Sequence, residues 1–357
     1  MINMTKPTST WYERVPKVEL HLHLEGAIPH EALWQLIQKY GGDPGVPDLQ
    51  ALRQKFQFRD FPHFIETWVW KNQFLREYDD FTLIAEAVAQ NLVRRNVKYA
   101  EMFYSPLPFL QQGLETRKLT EAIRAGLGRV KQIETELILD FSRDSGVPDA
   151  EKNLGAVMEL KALGVIGVGL GGSEQKYPPE LYTKIYEKAR LTGFHTTAHA
   201  GEAAGPESIW GAIRSLKVER IGHGTRAIED ESLMRYLAEK QIPLECCPLS
   251  NVRTGVVKSI EDHPVKKFFD AGLLVTVNTD DPAMFGNSLA QEYQMLEERL
   301  GFSRDEVRKL IMNNADAGVL TRTARKNGMR NLREDGWRKI EDGVTTVEEV
   351  MRVTQEF

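Results

Sequence analysis

Cysteine is scarce in this 357-residue chain, which has 2, adjacent to each other at Cys246 and Cys247. Neighbours in sequence cannot staple distant segments, so no disulfide framework is expected, and the usage suits a reducing cytoplasm. An excess of positive charge is also missing. Lys and Arg number 46 against 51 for Asp and Glu, a formal net charge of −5. Such a balance gives no general attraction for nucleic acid or anionic membranes. No run of ~18 apolar residues reads as a membrane span. The stretch from Met1 to Lys17 is polar and lacks the apolar centre of a signal peptide. Internal repeats and low-complexity blocks are absent. No Gly-x-Gly-x-x-Gly turn follows the first strand, which counts against an open doubly wound sheet.

What is present is an ordinary globular composition, 41% hydrophobic and 27% charged, with enough apolar side chains for a sizeable core. Eight β-like runs alternate with helix-like stretches. The runs are Val18–His23, Val97–Tyr104, Glu136–Phe141, Val165–Leu170, His195–His199, Arg220–His223, Pro243–Pro248 and Leu273–Asp280. Several are rich in Val, Ile and Leu with little alternation, as strands buried on both faces should be. Between them lie helical patterns such as Asp80–Asn96, Thr120–Glu134, Pro178–Thr192 and Asp230–Lys240. The expected fold is therefore α/β, a closed (β/α)₈ TIM barrel, with active-site groups at the C-terminal ends of the strands. About 70 residues separate the first two strands, and they hold Phe56, Phe58, Phe61, Phe64, Trp68, Trp70 and Phe74. This helical insertion reads as packing on the barrel, as a lid over its mouth, or both.

Chemistry concentrates at the strand ends. Strand 1 ends in His21-Leu22-His23, and a spacing of two puts both imidazoles on one face. Strand 5 ends at His199, three residues before Glu202. Strand 6 ends in Gly222-His223-Gly224. Strand 8 ends in Asn278-Thr279-Asp280-Asp281-Pro282. A barrel brings these ends to one rim. Imidazoles with a carboxylate suit zinc and similar divalent metals. Glycines at 26, 201 and 224 would let the backbone approach a flat ligand closely.

Taken together, Pro16–Gly26, His199-Ala200-Gly201-Glu202, Gly222-His223-Gly224 and Asn278–Pro282 resemble the adenosine/adenine deaminase family of the amidohydrolase superfamily. The order of the motifs matches, and the resemblance covers roughly residues 12–315. It implies one Zn2+ per chain held by His21, His23, His199 and Asp280. It implies that Glu202 protonates purine N1, that His223 orients and helps deprotonate a zinc-bound water, and that Asp281 bonds N7. Gly172, after strand 4, would offer its N–H to N3, and His23 and Glu25 would border the substrate. A zinc ion lowers the pKa of bound water from ~15.7 to ~7, which supplies the nucleophile this chemistry needs at neutral pH. The small zinc deaminases of cytosine and nucleic acids need a Pro-Cys-x-x-Cys that is missing here. Strand 4 ends in Gly169-Leu170-Gly171-Gly172 without the lysine of two-metal barrels, which favours a single metal.

The substrate signals are mixed. Glu25 leans towards adenine enzymes, whereas Ala27 and Thr279 lean towards nucleoside enzymes. The expected reaction is hydrolytic deamination of adenosine or 2′-deoxyadenosine. The alternatives are adenine or a 5′-modified adenosine such as aminodeoxyfutalosine, and, from another class, a catalytically inactive binding barrel. The expected partner is a small-molecule purine, with no nucleic acid and no membrane; the sequence leaves the oligomeric state open. His195 reads as lower barrel packing, and His30, His63 and His263 as surface residues. The Asp79–Asp80 and Glu297–Glu298 pairs read as solvated helix faces, and the two cysteines as small buried side chains. The expected division is a barrel over 1–317 and a helical tail over 318–357 of unknown role. Segments 328–337 and 343–350 of that tail resemble type II secretion and pilus-assembly ATPases. No Gly-x-x-x-x-Gly-Lys-[Ser/Thr] loop accompanies them, so ATPase function does not carry over.

Overall fold

A computed structural model of the chain describes residues 10–58 and 61–313. The tail expected over 318–357 lies outside the described residues. Eight strands form one sheet in sequential order: β1 Lys17–His23, β2 Val97–Tyr104, β3 Glu134–Ser142, β4 Val165–Gly171, β5 His195–Ala200, β6 Arg220–His223, β7 Leu244–Cys246 and β8 Val275–Val277. Every paired neighbour is parallel. Helices connect successive strands, so the expected (β/α)₈ barrel is the observed one. Among the described residues no helix is long and apolar enough to cross a membrane.

The seam between β8 and β1 is closed largely by side chains. Leu20 N–H donates to Asn278 Oδ1 at 2.9 Å and Thr279 N–H donates to Glu19 Oε1 at 2.7 Å. Farther up, His23 N–H donates to the Asp280 carbonyl at 2.9 Å and Asp280 N–H to the His21 carbonyl at 3.1 Å. One extra residue is accommodated between Glu19 and Leu22 opposite β2. Such a bulge re-aims side chains. Glu19 thereby joins the seam, while His21 and His23 both reach the barrel mouth.

The two last strands are shorter than their apolar runs suggest. Beyond Val277 the chain leaves the ladder, and Asp280 returns only as an isolated bridge to Leu22. The core is lined by Leu137, Leu139, Val165, Val168, Ile221, Val275 and Val277, all essentially inaccessible. Helix ends follow local chemistry. Asp230 caps Glu231–Lys240 by accepting from Ser232 and Leu233 N–H. The helix Thr116–Leu127 stops at Gly128, before the extent its pattern suggests.

Candidate active site

The rim of the barrel gathers the groups that strand ends should supply. His21, His23, His199 and Asp280 offer ligand atoms that all lie within 4.8 Å of one another. His199 Nε2 is 3.1 Å from His21 Nε2 and 3.2 Å from His23 Nε2. Asp280 Oδ1 is 3.3 Å from His23 Nε2 and 3.6 Å from His21 Nε2. Four donors at ~2.05 Å from one ion, at tetrahedral corners, lie ~3.3 Å apart, so this donor set fits a zinc ion. Ser250 Oγ donates to the other Asp280 oxygen at 2.6 Å, which fixes the carboxylate. Asp280 and His223 both adopt left-handed backbone, with φ of 66° and 60°. Each such residue costs of order 1–3 kcal/mol, and Asp and His are among the types that tolerate it.

Below the cluster, His21 Nδ1 lies 2.7 Å from Glu245 Oε2. With its hydrogen on Nδ1, the ring presents the Nε2 lone pair to its neighbours. Glu245 is in turn held by Arg220 Nε at 2.6 Å, and Arg220 also donates to Glu101 at 2.6 Å. Nothing in the local sequence marks Glu245, which sits in β7 between Leu244 and Cys246. Its role arises from a contact across the barrel.

Glu202 Oε2 lies 3.6 Å from His223 Nε2, which is itself 4.0 Å from Asp280 Oδ2. Burial pushes the Glu202 carboxyl above its ordinary range, against the pull of His223. The loop that carries Glu202 is clamped by a residue the sequence reading missed. Glu174, buried after β4, accepts from the backbone N–H of Glu202 at 3.1 Å, Ala203 at 2.8 Å and Ala204 at 3.1 Å, and also from Gly201. Four successive amides on one carboxylate form an occupied anion nest. Arg143, fully buried, ties the same region by donating to the His199 carbonyl at 2.8 Å and to that of Tyr177. Gly172 lies in the same loop, exposed at the mouth with φ of 94°.

Asp281 lies against Gly26. A Cβ at that glycine would stand 1.6 Å from Asp281 Oδ1, so only glycine fits. The Asp281 carboxyl is pushed well above its ordinary value, first by burial and then by the adjacent Asp280. Glu25 is buried, accepts from Ser105 N–H at 3.0 Å, and is also pushed up by burial. Among the described residues, Glu25 Oε2, Asp281 Oδ1, Asp140 Oδ1, His199 Nδ1 and His223 Nε2 are buried without a protein hydrogen-bond partner. Buried polar atoms without partners are uncommon, and a cluster of them marks a place for a ligand.

The aromatic insertion covers this mouth. In the helix Phe61–Asn72, Trp68 meets the His23 ring edge-on at 6.4 Å, and Phe64 stacks on Phe285, after β8, at 5.2 Å. Lys71 on this helix is buried, with Nζ 3.8 Å from the Trp68 ring centre. Burial lowers its pKa to about 8, opposed by Glu25 and Asp281. The Phe61 side chain lies outside the described residues.

Several bland readings change. His263 is buried, with Nε2 3.2 Å from Asn251 Oδ1, so it is not a surface residue. His30 is half-buried, with Nε2 3.0 Å from the Ala283 carbonyl. His63 packs edge-on against Phe58 at 6.0 Å. His195 is largely exposed and pairs with Glu219 at 2.7 Å, because it opens β5 at the outer end. Asp80 is buried and accepts from Lys39 at 2.6 Å and Tyr40 at 2.5 Å, so only Asp79 suits a solvated face. Glu297 accepts from Tyr12 at 2.7 Å and from Arg304. Cys246 and Cys247 are buried and unpaired, as expected.

Thr279 matters more. Its N–H goes to Glu19 and its carbonyl accepts from Asn287 at 3.1 Å, on the seam side of β8. The residue that leaned towards nucleosides thus makes its bonds in the barrel wall, whereas Glu25 stands in the mouth.

Comparison with known proteins agrees with this geometry. The adenosine deaminase family model matches residues 16–334, reaching past the expected boundary at 317. An adenine deaminase of Ectopseudomonas mendocina is 39% identical over 310 residues, covering 86% of this chain and 98% of that protein. An aminodeoxyfutalosine deaminase of Streptomyces avermitilis is 35% identical, with 86% and 87% covered. A zinc-bound amidohydrolase structure from Burkholderia ambifaria superposes with a TM-score of 0.73 at 26% identity, covering 90% of this chain and 93% of the other. The chain therefore belongs to the adenosine deaminase family, enzymes of the amidohydrolase type that remove the amine of a purine by hydrolysis.

Proposed function

We propose that this enzyme converts adenine and water to hypoxanthine and ammonia, with one zinc per chain held by His21, His23, His199 and Asp280. The observation that carries the reading is the pairing of that donor set with two carboxyls, Glu202 and Asp281, which burial holds towards their protonated forms. Ring nitrogens N1 and N7 of an aminopurine are acceptors. A protonated carboxyl can donate to each; an ionised one cannot. Zinc, when bound, supplies a strong nucleophile from water at neutral pH.

The chain's own residues do the rest. Glu202 gives its proton to N1 as charge develops on the ring. His223 Nε2, beside Glu202, orients the attacking oxygen at the amine-bearing carbon. Asp281 donates to N7 and fixes the plane of the base, which Gly26 allows it to approach. Gly172 offers its N–H to N3, and His23 borders the base as well as ligating. Trp68 and the helix that carries it cover the mouth and exclude water.

The choice of the free base over adenosine, the substrate first expected, rests on Glu25 and Thr279. Glu25, Lys71 and Trp68 crowd the covered side of the mouth, which leaves less room for a sugar. Thr279 faces away. The relative named for adenine shares more identity with this chain than the one named for aminodeoxyfutalosine. A second reading, a 5′-modified adenosine, is favoured by that latter relative. The site residues all lie before residue 318, so the barrel of 1–317 carries the chemistry in this reading. The buried, unpaired cysteines suit a cytoplasmic setting.

The test uses zinc-loaded enzyme with adenine. Equimolar hypoxanthine and ammonia are expected, together with about one zinc per chain. Glu202→Gln should keep the zinc and lose ~10²–10⁴ in kcat. Near-normal kcat in that variant would remove Glu202 from the chemistry.

A further inference from the structure

His223 ends β6 with one ring nitrogen facing the site and the other facing the barrel wall. The wall-side nitrogen, Nδ1, lies 3.1 Å from Asn251 Nδ2. On its other side, Asn251 Oδ1 receives Thr225 Oγ1 at 2.9 Å and lies 3.2 Å from His263 Nε2. The chain of contacts ends at backbone, where Val265 N–H donates to His263 Nδ1 at 3.2 Å. His223, Thr225, Asn251 and His263 are all buried.

These contacts admit one arrangement of hydrogens. A backbone N–H always donates, so His263 Nδ1 is an acceptor. Burial holds His263 neutral, with a pKa lowered to about 3, and a neutral imidazole carries one hydrogen. That hydrogen is on Nε2 and is given to Asn251 Oδ1. The Asn251 amide then turns its NH₂ to His223 Nδ1. Reversing the amide would set the NH₂ against His263 Nε2 and would require both nitrogens of a neutral ring to accept. His223 Nδ1 is therefore an acceptor, and its hydrogen sits on Nε2.

We propose that Asn251 and His263 are positioning residues that hold His223 as the Nε2–H tautomer, so that it presents a donor, not a lone pair, to the reaction space. This rests on the reading of His223 as an active-site group. His223 then orients the nucleophile's oxygen by donating to it and does not act as the resting base. The resemblance gave His223 both roles; the buried relay supports only the first. Neither Asn251 nor His263 touches the substrate in this arrangement. Both act through one ring.

The test reads the tautomer directly. In zinc-loaded, ¹⁵N-histidine-labelled protein, long-range ¹⁵N–¹H correlations of His223, assigned by their loss in His223→Asn, should show hydrogen on Nε2. Asn251→Asp keeps the shape and both contacts on its Oδ1 side, but offers His223 Nδ1 an acceptor. It should move hydrogen onto Nδ1 and lower kcat at least about tenfold at unchanged zinc content. His263→Gln, whose amide can accept from Val265 and donate to Asn251, should keep the Nε2–H pattern and most of kcat. An Nδ1–H pattern in the wild type overturns the proposal, as does an Asn251→Asp protein with wild-type tautomer and kcat. Should Asn251→Asp fail to fold, the wild-type spectrum and His263→Gln still decide. Absence of turnover on any aminopurine would fault the proposed function and leave the tautomer result standing.

Discussion

Glu245 gives the sharpest handle on the proposed metal centre without altering any of its proposed ligands. Its Oε2 accepts from His21 Nδ1 at 2.7 Å and its Oε1 from Arg220 Nε at 2.6 Å. Glu245→Gln keeps the shape but turns one of those oxygens into an NH₂. Either Arg220 or His21 then faces a donor with a donor. If the amide faces His21, the ring must move its hydrogen to Nε2 and lose its ligand lone pair. If it faces Arg220, the bond to His21 survives without its charge. A hydrogen bond to a charged group contributes ~1.5–3 kcal/mol, and ~1.4 kcal/mol is tenfold in an equilibrium constant. Zinc affinity should therefore fall ~10–100-fold, the range known for outer partners of metal-bound imidazoles. Competition with a graded series of chelators measures it. Thermal unfolding of the metal-free protein serves as control, since Arg220 keeps Glu101. A folded Glu245→Gln protein with zinc affinity within about twofold of wild type would refute the reasoning.

Glu174→Gln should lower kcat at least about tenfold with zinc retained, because four backbone amides around Glu202 lose their shared carboxylate. Wild-type kcat in that variant would show that the loop holds its shape alone. Acid should destabilise the fold through His263. Its folded pKa is about 3 against an ordinary 6.5, so the unfolded chain takes up a proton below about pH 6.5 that the folded one refuses. The stability this group contributes is complete at neutral pH and is lost as pH falls towards about 3, with ~2 kcal/mol gone at pH 5. Urea unfolding at pH 7 and pH 5 should show a smaller acid loss in His263→Gln, and equal losses would contradict the assignment.

The barrel and its rim were legible in the sequence for a physical reason. Buried parallel strands are short apolar runs, and the three histidines and the aspartate at their ends, His21, His23, His199 and Asp280, stand out against those runs and meet at one rim in the fold. The supporting residues were not legible. Glu245, Glu174, Ser250 and Asn251 act by contacts between strands or loops distant in sequence, and no local spacing announces them. His263 looked like a surface residue because a lone histidine carries no pattern, and its burial depends on Asn251 and Val265. Thr279 stands apart from its motif for a related reason. Its neighbours Asp280 and Asp281 face the site, but the backbone turn at Asp280 leaves Thr279 on the seam beside Glu19. A residue next to a motif need not share its side. The β7 and β8 runs overstated their strands because the chain leaves the ladder to build the site.

The substrate is tested most directly by kcat/KM for adenine and for adenosine on one zinc-loaded preparation, followed by ammonia release. A site fitted to one hydrogen-bonding partner can reject an analogue by up to ~10⁴–10⁵. In the proposed reading, where Glu25, Lys71 and Trp68 crowd the covered side of the mouth, adenine should exceed adenosine by at least about 10²-fold. Adenosine equal to or ahead of adenine would contradict that placement.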